Sequence, residues 1–230
     1  MAHDTHTPAA AHRAPEQVPE PEAGTGLRES KKRETRRLIS DQATRLFITQ
    51  GFEETTIAEI AIAARVAKKT VTNYFPRKED MALDHQEAFV GGLAEVVAAR
   101  RPGESALGAL RSAFVRAVAE QDPVAGFAGH EFSRMIADSP TLSVSLRGLH
   151  DRREDALASA LAEATGAPDG DITPVTAAAL LGAVHRVLFG RIQDLTLAGR
   201  GNEEIAHTVG TEARRAFDVL EPALGDYAVA

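Results

Sequence analysis

Lys68, Lys69, Thr70, Thr72 and Asn73 crowd into one short segment that ends at Tyr74-Phe75-Pro76. Ammonium groups meet phosphate oxygens, and hydroxyls meet either phosphates or bases. A carboxamide both donates to and accepts from a base edge. Wound as a helix from Lys68 to Phe75 and stopped by Pro76, the segment turns Val71, Tyr74 and Phe75 inward. The cationic, hydroxyl and amide groups are left facing out. Such a face, held by a turn against a supporting helix, is the arrangement of a helix-turn-helix DNA reader.

Other chemistry is poorly represented. The chain has no cysteine, which excludes disulfides, thiolate catalysis and Cys-based metal sites. His130, His150 and His185 do not stand at metal-motif spacing, and no His-Glu-x-x-His pattern occurs. No nucleophile, base and orienting group fall into a pattern, and no Gly-rich phosphate loop is present. These absences argue against an enzyme and against a bound cofactor. A scaffolding protein with a vestigial helix-turn-helix is the other class to weigh, and salt-dependent binding to a specific duplex separates the two.

The supporting elements follow from local signals. Thr56-Ile57-Ala58-Glu59 is a capping box that opens a helix, with Ile57, Ile60, Ala61 and Ala64 on its apolar face. Arg65-Val66-Ala67 makes the turn, and Val66 is placed to pack between the two helices. Before them, a helix from about Arg28 to Gln50 ends at Gly51 and buries Leu38, Ile39, Ala43, Leu46 and Phe47. Its cationic start, Arg28 to Arg33, opposes the helix dipole, which favours either phosphate contact or simple solvation of that turn.

From Lys31 to Met81 the chain resembles the DNA-binding domain of the TetR family of bacterial transcriptional regulators, most specifically in Asn73-Tyr74-Phe75-Pro76 followed by Arg77-Lys78-Glu79-Asp80. Three positions depart from the family pattern. Arg65 stands where a turn glycine is common, Ala67 where a capping serine is common, and Thr72 where an aromatic is common. Losing a serine cap costs about 1 kcal/mol. The resemblance implies DNA contacts from Lys31, Lys32, Thr56, Lys68, Lys69, Thr70, Thr72, Asn73, Tyr74 and Lys78, the last gripping a phosphate beside the next helix. It implies a double-stranded, pseudo-palindromic operator and control, most simply repression, released by a small-molecule effector.

Charge distribution agrees with a DNA reader despite a net charge of −7. Residues 28–80 hold 12 Lys+Arg against 8 Asp+Glu, and all five lysines lie there; residues 81–230 hold 13 against 21. A basic module on an acidic body is the footprint of one DNA-contacting face. Residues 1–27 carry four of the eleven prolines and almost no large apolar residue, so they are expected to be a disordered tail. They lack the basic start and apolar centre of a secretory signal. With no uninterrupted apolar run of membrane-spanning length, the expectation is a cytoplasmic protein with no membrane partner.

The body, residues 81–225, reads as a helical bundle, and the whole chain as all-α with about nine helices. A long helix is expected from Glu79 to Arg101; its Gly91-Gly92 pair is either a bend or a close-packing site. Further helices span Ser105 to Gln121, a segment from Val124 to Asp138, and Leu142 to Thr165, the last with Asp151 to Asp155 as an exposed turn. The helices Pro174–Leu197 and Asn202–Leu220 resemble the family's four-helix homodimer interface. Pro174–Leu197 is apolar on so many sides that more than one must be covered. An effector pocket is expected within residues 105–190, with Phe114, Phe127, His130, Met135, His150, His185 and Phe189 as candidate lining groups. Each of these has an equally ordinary reading as core. The scarcity of aromatics argues against a site for flat polycyclic cations.

Overall fold

The computed structural model describes residues 23–230, with side chains from Arg28 onward. The expectation of a disordered tail therefore lies, for residues 1–22, outside the described residues. Eleven α-helices and one 3-10 turn make up the described fold, and no strand occurs among those residues. The helices are α1 Ala23–Gln50, α2 Ile57–Ala63, α3 Lys68–Tyr74, α4 Glu79–Ala82, α5 Gln86–Ala98, α6 Ala106–Ala119, α7 His130–Asp138, α8 Pro140–Thr165, α9 Thr173–Leu197, α10 Asn202–Asp218 and α11 Glu221–Leu224. The excess over nine comes from short pieces, α4 and α11.

Of the described residues, 23–36 belong to one compact unit and 37–230 to another. In the first, α1 begins at Ala23, five residues before the expected start at Arg28. Lys31 and Lys32 therefore sit inside the helix and not in its first turn, beyond the reach of the expected dipole repulsion. Both side chains are exposed.

In the second unit, Ile39, Ala43 and Phe47 point into a core shared with Phe52, Ile60, Ala64, Val71 and Phe75. Leu38 departs from the expected stripe at 44% exposure, because Ile39, Ala43 and Phe47, four residues apart, already define the buried line. Met135, Ile136 and Leu142 from α7 and the start of α8 complete this same core. The remaining bundle has its own core, built around Leu110, Phe114, Leu157, Leu161, Leu181, Leu188 and Phe217.

The expected helix from Glu79 to Arg101 is broken, but not at its glycines. Leu83 leaves the helical region at φ −108°, ψ 44°, and α5 restarts at Gln86. Gly91 and Gly92 lie inside an unbroken α5, and a Cβ at Gly92 would meet nothing within 4 Å. Close packing thus does not account for Gly92, and the interruption falls at residues 83–85.

α8 is continuous from Pro140 to Thr165, so Asp151 to Asp155 are helical and not a turn. It is capped by the Ser139 hydroxyl, which accepts from the Leu142 N–H at 3.1 Å, and it stops at Gly166 in the left-handed region. α9 is long and apolar enough to cross a membrane by length and composition alone. It nevertheless buries Ala178, Leu181, Leu188 and Ile192 in the bundle core. Ion pairs from Arg186 to Glu154 and from Arg191 to Glu212 tie it to α8 and α10. It is a bundle helix.

Candidate nucleic-acid interface and effector cavity

The turn between α2 and α3 is fixed by backbone geometry. Thr56 and Glu59 close the capping box: the Glu59 N–H donates to the Thr56 hydroxyl at 3.3 Å, and the Thr56 N–H donates to the Glu59 carboxylate at 2.8 Å. The Thr56 N–H and hydroxyl, both donating to the Glu59 carboxylate, hold it below its ordinary pKa. After α2, Arg65 takes φ +54°, and the Val66 N–H reaches back to the Ala61 carbonyl at 3.0 Å. This is a left-handed helix stop of the kind glycine normally fills. Arg65 therefore carries a cost of about 1–2 kcal/mol that glycine would not. Ala67, the N-cap of α3, makes no side-chain cap bond, as expected for an alanine replacing a serine.

On α3, Val71 and Phe75 are buried while Lys68, Lys69, Thr72 and Asn73 are exposed; Thr70 and Tyr74 are half-buried. The Thr72 hydroxyl donates to the Lys69 carbonyl at 3.1 Å, leaving its lone pairs as the group offered outward. The Tyr74 ring packs on the reader core. Thr56 is exposed, with its hydroxyl hydrogen given to Glu59 at 2.7 Å.

Lys78 is placed differently from the expectation. Its ammonium donates to the carbonyls of Phe52 at 2.7 Å, Thr55 at 3.1 Å and Glu53 at 3.3 Å, and it sits 4.3 Å from the centre of the Phe52 ring. An ammonium has three hydrogens, so none is left for a phosphate in this arrangement. Lys78 is a clamp on the loop between α1 and α2. That loop is also tied to the body: the Ser139 hydroxyl donates to the Glu53 carboxylate at 2.7 Å and lowers its pKa.

In the bundle, a cavity of about 230 Å³ is walled by α5, α6, α8 and α9. Phe114, His185 and Phe189 line it, together with Leu93, Val96 and Arg153. His150 stands behind this wall, its ring 5.3 Å from Phe189 and 5.0 Å from Phe89, both edge-on. His185 is likewise edge-on to Phe114 at 5.4 Å and Phe217 at 5.5 Å. Burial, reinforced by the Arg153 charge, lowers His150 to about 4 and His185 to about 3, so both are neutral at pH 7.

Three expected lining residues lie elsewhere. Phe127 is buried in the bundle core, outside the cavity wall. His130 and Met135 line a separate groove of about 400 Å³ with Phe47, Phe52 and Glu53, because one face of α7 packs into the reader's core. Gly126 makes the preceding bend possible: at φ +127°, a Cβ there would come within 3.2 Å of Ile192.

Arg153 was hidden in the sequence by its charged neighbours. It stands four residues from both Leu149 and Leu157, on the same line as Leu161, and that spacing was the available signal. Its guanidinium lies 4.5 Å over the Phe89 ring, its Nε is buried without a hydrogen-bond partner, and burial lowers its pKa to about 10.

A helix-turn-helix with a polar outer face, joined to a helical body with a half-open cavity, defines a DNA-binding regulator of the helical class. The family described as bacterial regulatory proteins, tetR family, matches residues 39–84. The HTH-type transcriptional regulator TcmR of Streptomyces glaucescens is 33% identical over 172 residues, covering 72% of this chain and 76% of TcmR. This chain belongs to the TetR family. The fold is shared with the SmeT–triclosan complex (TM-score 0.54, 18% identity, 86% of this chain and 95% of that one). It is also shared with NalD, the secondary repressor of the MexAB-OprM multidrug efflux pump in Pseudomonas aeruginosa (TM-score 0.51, 18% identity, 81% and 97%).

Proposed function

We propose that this protein is a ligand-responsive transcriptional repressor that binds a pseudo-palindromic DNA operator as a homodimer and leaves it when a small molecule occupies the bundle cavity. The observation that carries this reading is the split on α3: apolar Val71 and Phe75 are buried, while Lys68, Lys69, Thr72 and Asn73 are exposed. Asn73 is suited to a base edge and the lysines to bases or phosphates, with Thr70, Thr72 and Tyr74 at the margin. Lys31, Lys32 and Thr56 are assigned to the DNA backbone, and residues 28–80 to the reader as against 81–225 for the sensor. No catalytic role is assigned.

Dimerisation is supported by α9. Its inner face is buried in the bundle, yet Ile172 is 75%, Val187 67% and Leu180 39% exposed, and Val219 after α10 is 76% exposed. A Cβ at Gly190 would meet nothing within 4 Å, which leaves room for a facing helix. Two copies joined there present two readers to half-sites about one DNA turn apart. We expect Leu180→Glu combined with Val187→Glu to give a monomer in sedimentation and to lose operator affinity. An unchanged dimer would overturn this interface.

The relative TcmR is a transcriptional regulator by name, and the SmeT–triclosan complex pairs the same fold with a small molecule. A cavity of about 230 Å³ is below the roughly 300–1,000 Å³ usual for ligand pockets. The cavity is half open, so an effector of ordinary size either projects from it or moves its walls, and the second case supplies the differential affinity for two states that release requires. α8 spans from the cavity at Arg153 to its cap at Ser139, which holds Glu53 of the reader. The test is a gel shift on selected duplex DNA across a salt series. Steep salt-dependent loss of specific binding supports the reading; absence of any specific duplex defeats it.

A further inference from the structure

We infer that the effector is an anionic molecule, an apolar body bearing one ionised oxygen acid, and that Arg153 takes that oxygen inside the cavity, beside His185. This rests on the cavity being the effector site and names the class of molecule that fits it.

Two buried polar groups on the cavity wall lack partners within the protein. The Nε of Arg153 and the Nε2 of His185 are both buried without a hydrogen bond, and both residues line the same space. Buried polar groups in folded proteins are nearly always satisfied, so an arginine of the cavity wall whose Nε has no partner in the protein marks a place completed by something else. Among the described residues Arg153 makes no salt bridge, and its charge is offset by the Phe89 face at 4.5 Å and by Asp122 at longer range. With a pKa of about 10 it stays cationic at pH 7, while His185 is neutral and adds no second charge. A guanidinium with no ion pair of its own suits a carboxylate or phenolate oxygen. Leu93, Val96, Phe114 and Phe189 supply apolar walls for the rest of the molecule.

Two carboxylates also line the cavity, Glu120 and Asp122. Asp122 accepts from the Val124 N–H at 2.8 Å, which fixes it at the start of the 3-10 turn. It competes with an incoming acid for Arg153, so removing its charge should tighten binding.

The test is calorimetric titration of the full chain with benzoate, 2-naphthoate and octanoate, each against its neutral amide, and with 2-naphthylmethylamine as a cation. The expected result is at least one carboxylate bound about tenfold or more tightly than its amide, as charge-assisted hydrogen bonds allow. Arg153→Gln should abolish that preference, and Asp122→Asn should increase it. Arg153→Gln should also melt higher than the parent, because it removes a buried cation held ready for a ligand; a merely structural arginine would melt lower. No carboxylate preference anywhere in the set, or preference for the amine, overturns the inference. A gel shift on the same preparation separates the two failures. Specific DNA binding released by a neutral or cationic molecule defeats only the acid, whereas no specific DNA binding defeats the regulator reading itself.

Discussion

The reader and the sensor cavity treat polar groups in opposite ways. Around the helix-turn-helix, internal polar groups are spent on the fold: Thr56 and Glu59 cap α2, Lys78 holds three carbonyls, and the Ser40 hydroxyl donates to the Met81 carbonyl at 3.0 Å. The groups left for a partner lie outside, on α3. In the bundle, the polar groups of Arg153 and His185 are held inside without partners. A reader must present fixed donors to a rigid duplex, whereas a sensor must gain more from its ligand than from itself. The fold keeps stability in the first region and surrenders some in the second.

That contrast breaks most readily at Lys78. Lys78→Met keeps the stem near Phe52 but strands three loop carbonyls, and should cost about 2–3 kcal/mol in denaturant unfolding. The affinity for all duplexes should fall together as the loop loosens. If stability is unchanged and only DNA affinity falls, Lys78 is a phosphate contact and not a clamp.

A smaller effect of opposite sign is expected at His185. His185→Phe removes an unsatisfied buried nitrogen and should stabilise the unliganded protein by about 1–2 kcal/mol. It should also blunt acid unfolding. The folded pKa values of His150 and His185, about 4 and about 3, lie below the ordinary 6.5. The unfolded chain therefore takes up protons first, and stability that is complete above pH 6.5 is lost as pH falls toward 4 and below. Removing one of the two groups should shallow that decline; an identical pH profile would contradict the assignment.

The smallest changes sharpen the reader. Ala67→Ser supplies the missing cap of α3, and Arg65→Gly relieves φ +54°. Each should add about 1 kcal/mol, less what glycine's greater unfolded freedom takes back. Thermal melts of the two variants would show it, and a loss of stability at Arg65→Gly would mean that the arginine side chain supports the turn.

What was legible in the sequence was local. The capping box at Thr56, the stop at Pro76, the Gly166 cap and the buried side of α3 each follow from residues within one or two helical turns. The break at Leu83 carries neither proline nor glycine, so nothing nearby announces it. Lys78 bonds to residues 23 to 26 positions earlier, a pairing that no periodicity encodes. Among the expected cavity residues, Phe114, His185 and Phe189 converge because α6 and α9 both pack against α10. His130 and Met135 do not, since α7 joins the reader's core, a choice made by tertiary packing. Arg153 was misplaced because Asp151 to Asp155 look solvated as a group, although their third member continues a leucine line.

The most direct measurement is selection of duplexes from a randomised DNA library by the full-length protein, repeated with Asn73→Ala. The parent should select a two-fold symmetric sequence, and Asn73→Ala should show a relaxed preference confined to one position in each half-site. A profile indistinguishable between the two proteins, or no enriched sequence at all, would contradict the claim that the exposed face of α3 reads DNA.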